Sequence, residues 1–238
     1  MLAGAVNTIA GGGSLITLPV LIFLGLPATV ANGTNRVGVI LQSGVATWRY
    51  REEGLLDTNL GLWLLIPTSI GSALGALVSV ELDEQLFRKV IGVVLVAMLA
   101  VVLVRPKRWL EDREGAEVPG HRWWSSPLSF FLVGLYGGFL QAGVGIFLLA
   151  AMVLVEGRNL LRANAVKVLL VAGFTVPPLV IFVASDLVWW VPGLVLALGS
   201  SVGAWLGTKM TVSWGPRFIR WVLVAVVLVS ATRLLGLW

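Results

Sequence analysis

The chain has 238 residues, 58% of them hydrophobic and only 12% charged, with a formal net charge of +5 and no cysteine. So much apolar surface excludes a soluble globular protein of this length, and the cysteine count excludes disulfides, thiolate metal sites and thiol catalysis. The basic residues are scattered through short loops, the pattern that sets orientation in a membrane, so no nucleic-acid partner is expected.

In chain order, the apolar sequence starts at once and falls into runs of roughly 17–25 residues, the length that crosses a bilayer core as a helix. A β-barrel would show short alternating strands instead. The expected fold is therefore an all-α polytopic membrane protein, with the lipid bilayer as its surroundings. The first segment, 2–24, has neither a basic n-region nor a cleavage site before it and is expected to stay in the mature protein. It is broken by Ala10-Gly11-Gly12-Gly13-Ser14. At a rise of about 1.5 Å per residue neither arm crosses a core of about 30 Å. Spans are predicted over 30–48, 58–80 and 86–104. A charged stretch with Arg113, Glu114 and Glu117 then reads as a cytoplasmic linker, 105–126. The next segment, 127–155, is broken by Ala142-Gly143-Val144-Gly145, 132 positions after the first break. Spans over 162–184, 187–209 and 216–236 complete the chain. The organisation is a first transmembrane repeat, 1–104, the linker, and a second repeat, 127–238.

A second pair of matching features supports the duplication. Ala31-Asn32-Gly33-Thr34-Asn35-Arg36 lies about twenty residues after the first break, and Ala163-Asn164-Ala165-Val166-Lys167 repeats its alanine–asparagine pair 132 positions later. Each broken segment is either one discontinuous span or a re-entrant hairpin, and the positive charges arbitrate. Setting aside Arg36 and Lys167, which fall inside spans, 15 Lys and Arg residues remain in loops and at span ends. If both segments span, these divide 8 to 7 between the two sides. If both re-enter, the division is 12 to 3, a strong positive-inside pattern. Two hairpins and six spans are therefore expected, with both termini outside. Each half then crosses an odd number of times, so the halves are inverted, the architecture of many secondary transporters.

Non-helical backbone at membrane depth needs protein around it or a wet cavity to line. The amides near Gly12, Gly13, Ser14 and Leu15 start a half-helix whose positive end favours anions, and Ser14 is expected to cap it. Val144, Gly145 and Ile146 repeat this without a hydroxyl. The alternative is that the glycines only permit close helix packing. Arg36 and Lys167 each fall about six residues inside a predicted span, about 9 Å deep by helical rise, where a cation must face a cavity, pair, or snorkel. No acidic residue lies inside a predicted span to pair with them, which favours neutralisation of a bound anion. Gln141, Asn32, Thr34, Asn35 and Asn164 add uncharged hydrogen-bonding groups. The candidate binding set is thus Gly11, Gly12, Gly13, Ser14, Asn32, Thr34, Asn35, Arg36, Gln141, Gly143, Gly145, Asn164 and Lys167. The lone histidine, His121, lies in the linker, no phosphate-binding loop is present, and neither a metal, a cofactor nor an enzymatic activity is expected.

At these residues the sequence resembles the TauE/SafE sulfite exporter family, also called the toluene sulfonate uptake permease family. The likeness rests on Ala10 to Pro19, Gly25-Leu26-Pro27, Ala31 to Asn35, Tyr50-Arg51-Glu52-Glu53-Gly54, Gly143-Val144-Gly145 and Arg162 to Lys167. It implies transport of a small sulfur-containing or organic anion such as sulfite, a sulfonate or sulfoacetate, with export the expected direction, across the bacterial cytoplasmic membrane. The rival readings are an intramembrane enzyme and a non-transporting scaffold. Self-association is left open by the sequence.

Overall fold

The computed structural model describes residues 1–87, 89 and 125–234. The third predicted span, 86–104, and the linker, 105–126, thus lie almost wholly outside the described residues. Regular structure among the described residues is helical. The helices are α1 Leu2–Ala10, α2 Ser14–Phe23, α3 Ala28–Glu52, α4 Thr58–Glu81, α5 Ser125–Phe139, α6 Val144–Leu154, α7 Leu160–Phe174, α8 Val176–Ala184 and α9 Trp190–Leu234. The 132-residue offset recurs in the elements, since α3 and α7 start at 28 and 160, and α4 and α9 at 58 and 190.

Local chemistry sets these starts. Pro27 ends the loop before α3, and the Glu84 carboxylate accepts from the amides of Ala28 (2.7 Å) and Thr29 (3.3 Å), placing negative charge on a helix N-terminus. Asp57 caps α4 through the Leu60 amide at 3.1 Å, and Asn159 caps α7 through the Arg162 amide at 2.9 Å. The predicted span 162–184 becomes α7 and α8, joined at Thr175 just before Pro177 and Pro178. Most of the two spans predicted at 187–209 and 216–236 falls in α9, which is interrupted at Gly215, with 235–236 outside the described residues.

Among the described residues, three helical stretches are long and apolar enough to cross a membrane, Thr58–Glu81, Leu160–Ala184 and Trp190–Leu223. Helix α3 is as long, at 25 residues, but carries Asn32, Thr34, Asn35, Arg36, Gln42 and Ser43, all buried. A helix with that content belongs among other helices instead of against lipid. The outward faces of α4 and α9 expose Leu62, Ile66, Ile70, Val191, Val195 and Leu198, which suits hydrocarbon.

The two halves are interwoven. Helix α5 packs backbone to backbone on α4, where a Cβ on Gly71 would strike Phe131 O, on Gly75 Leu135 O, and on Gly138 Ser72 O. Helix α1 packs in the same way on α9, where a Cβ on Gly4 would strike Ser200 O and one on Gly203 Met1 O. The pairs Gly71/Gly75 and Gly203/Gly207 stand 132 positions apart, each a small-xxx-small stripe of the kind that lets membrane helices approach closely. Each half thus holds the broken segment of the other. Helices α3 and α7 cross antiparallel, because Tyr50 near the end of α3 accepts from Asn164 near the start of α7 at 2.8 Å. Arg158 and Asp57 form an ion pair at 2.9 Å, which brings the α3–α4 and α6–α7 loops to one end of the bundle. At the other end the Trp189 amide donates to Thr34 Oγ1 at 2.9 Å. Leu64, Phe130, Leu148, Met152, Leu170 and Phe174 fill the space between α4, α5, α6 and α7.

Candidate functional site

Both glycine breaks are real interruptions, and they meet. Gly11 ends α1 with φ 78° and Gly143 precedes α6 with φ 67°, left-handed conformations at the same offset that cost a residue with a Cβ. Gly11 also faces Gly145 backbone to backbone, so that a Cβ on either would strike the other. The amides of the first break are partly spent inside it. Gly13 donates to Asn7 Oδ1 at 3.3 Å and Leu15 to Gly12 O at 3.1 Å. The expectation that Ser14 caps α2 is corrected. The cap position is Gly13, and Ser14 is the first helical residue, its Oγ accepting from Asn35 Nδ2 at 3.1 Å. The same Asn35 accepts from Thr17 Oγ1 at 2.6 Å, so one asparagine ties the start of α2 to α3.

The buried cations reach across the halves. Lys167 on α7 donates to Asn7 O at 3.0 Å and Thr8 O at 2.9 Å, two last-turn carbonyls of α1. Arg36 on α3 donates to Gly137 O at 3.2 Å and Gly138 O at 2.5 Å, at the end of α5, and its guanidinium lies 4.8 Å from the Phe182 ring centre. Asn32 completes that end through Phe139 O at 2.9 Å. Arg36 is 0% and Lys167 1% exposed, so neither snorkels. The hydrogen-bond partners of both buried cations are main-chain carbonyls, whereas Arg49 and Arg158 pair with carboxylates nearer the surface. Both negative helix ends therefore carry a fixed cation, while the described residues lining the pocket at the positive ends, Ser14 and Val144, include no acidic side chain.

Between the breaks is a small polar pocket, about large enough for a water molecule. Its walls are Asn7, Thr8, Gly11 and Ser14 from the first break region, Val39 and Ser43 from α3, Gln141, Val144 and Gly145 from the second, and Lys167, Val168 and Val171 from α7. Gln141 donates to Thr175 Oγ1 at 2.7 Å, and the other end of its amide has no hydrogen-bond partner among the described residues. A neighbouring pocket of similar size shares Ser14 and is lined by Gly13, Thr17, Asn35, Gln42 and Ser200. The structure thus gathers Gly11, Ser14, Gln141, Gly145 and Lys167 at one pocket and Gly13, Ser14 and Asn35 at the next. Gly12 and Gly143 shape the breaks without lining either pocket. Arg36 and Asn32 hold the end of α5, Thr34 holds the start of α9, and Asn164 holds Tyr50. Sequence reasoning passed over Asn7, Thr8, Gln42, Ser43, Thr175 and Ser200. Gln42 and Ser43 were within reach, since they lie seven and eight positions after Asn35, on the same face of α3.

Broken half-helices from two halves of one chain, meeting with their charged ends at a polar pocket inside an apolar bundle, define a membrane transporter. The chain belongs to the sulfite exporter TauE/SafE family, which it matches over residues 1–234. It is 30% identical over 241 residues to the probable membrane transporter protein YfcA of Escherichia coli strain K12, covering 99% of this chain and 86% of that protein. A probable membrane transporter protein of Haemophilus influenzae is 32% identical over 230 residues, covering 92% and 84%. The probable membrane transporter protein ORF9 of a Sinorhizobium species is 28% identical over 236 residues, covering 99% and 89%. No solved structure matches the chain.

Proposed function

We propose that the protein is a secondary transporter of a small anion, sulfite, a sulfonate or another sulfur-containing organic anion, which it exports across a bacterial cytoplasmic membrane as a multi-pass protein. One observation carries the reading. The pocket between the breaks is lined by the first residues of two half-helices, Ser14 and Val144, and by the ammonium-bearing Lys167. Helix N-termini and an ammonium attract anions and repel cations. The description of the family supplies sulfite as the first substrate to test.

The halves act as inverted repeats whose broken segments re-enter from opposite faces. The antiparallel crossing of α3 and α7 supports this, and so does the ion pair joining the 53–57 and 155–159 loops. Under the alternative of two full spans these loops would lie on opposite sides. Alternating access then rocks the interwoven halves about the pocket.

The reading is tested by flux of labelled sulfite and sulfoacetate in proteoliposomes. Lys167→Gln should lower flux at least about tenfold, the loss of one charged hydrogen bond, with the variant still eluting as folded protein. Wild-type flux in that variant would remove Lys167 from the site, and no flux of any anion in the wild type would reject the transport reading.

A further inference from the structure

The C-termini of broken helices are the other half of the electrostatics. In carriers driven by a cation, unwound carbonyls and half-helix C-terminal ends coordinate the ion near the membrane centre. Here the corresponding carbonyls are held by the protein itself. Lys167 Nζ sits on Asn7 O and Thr8 O, and Arg36 on Gly137 O and Gly138 O. An ammonium has three N–H donors, so Lys167 spends two on α1 and has one left for the pocket that it lines.

We propose that Lys167 and Arg36 are resident counter-ions standing where a coupling cation would bind, so that transport runs without a metal cation at these helix ends. Removing the Lys167 ammonium would open the end of α1 to a small free cation. The proposal rests on the transporter reading for its bearing on coupling, but its test needs no substrate. Each cation also comes from the half opposite the helix it holds, α7 on α1 and α3 on α5. The charge that neutralises a helix end is therefore part of the chain and does not dissociate into solvent as a bound ion does.

The test is thermal unfolding of the full chain in detergent, in choline, sodium or methylammonium chloride at equal ionic strength. The wild type should melt at the same temperature in all three. Lys167→Ala should melt about 5–10 °C lower in choline, as buried carbonyls lose their partner, and recover saturably in methylammonium. Lys167→Met fills the same channel without charge, and should lose stability and gain nothing from methylammonium. Saturable stabilisation of the wild type by sodium would overturn the proposal, whatever the variants do. So would a Lys167→Ala protein as stable as the wild type in choline, one that methylammonium does not recover, or equal recovery of Lys167→Met. A wild type that melts as expected but moves no anion would reject the transport reading and leave the counter-ion assignment standing.

Discussion

Lys167 stands 132 positions after Asn35, and the difference between those two residues makes the site unequal on its two sides. Lys167 brings a charge to the pocket, whereas Asn35 spends both ends of its amide on Ser14 and Thr17. Gly11 is constrained twice over, by its left-handed φ and by contact with the Gly145 backbone. Gly11→Ala therefore meets a conformational cost of about 1–2 kcal/mol and overpacking of similar size. The expected loss is about 2–4 kcal/mol, seen as a melting temperature lowered by several degrees in detergent. Unchanged melting would mean that the breaks do not meet as described.

Among the helices, the decisive feature is the exchange of partners between halves. Gly71 and Gly75 bring α4 onto α5, and Gly203 and Gly207 bring α9 onto α1. With lipid as solvent, association of this kind depends on close packing of small residues. Gly75→Leu should prevent α5 from seating and abolish recovery of monodisperse protein on size-exclusion chromatography. Gly44, on an exposed position of α3 with no atom within 4 Å of an added Cβ, is the contrast. Gly44→Ala should leave the protein intact and raise helix stability by about 0.5–1 kcal/mol. If both variants behaved alike, packing of α4 on α5 would not control assembly.

For the molecule as a whole, the orientation of the halves can be read directly because the chain has no cysteine. Single cysteines at Glu53, Arg162, Glu81 and Ser185, all exposed, can report sidedness in right-side-out vesicles with an impermeant thiol reagent. Glu53→Cys and Arg162→Cys should react only after the vesicles are opened. Glu81→Cys and Ser185→Cys should react from outside. Labelling of Glu53 and Arg162 from opposite sides would rule out inverted halves and restore two full spans.

The membrane class and the places of both breaks were legible in the residues alone, because bilayer thickness dictates run length and each glycine-rich stretch leaves arms too short to span. The six-residue depth of Arg36 and Lys167 marked them as unusual before any fold was known. What they touch was decided only by tertiary structure. Their partners are backbone carbonyls about 100 and 160 positions away in sequence, and a carbonyl carries no signal in its residue type. The same reason hid Asn7 and Thr8, which face Lys167 through main-chain oxygens. It also separated the binding set, since only the crossing of α3 and α7 and the contact of Gly11 with Gly145 put Lys167 at the pocket and Arg36 behind it.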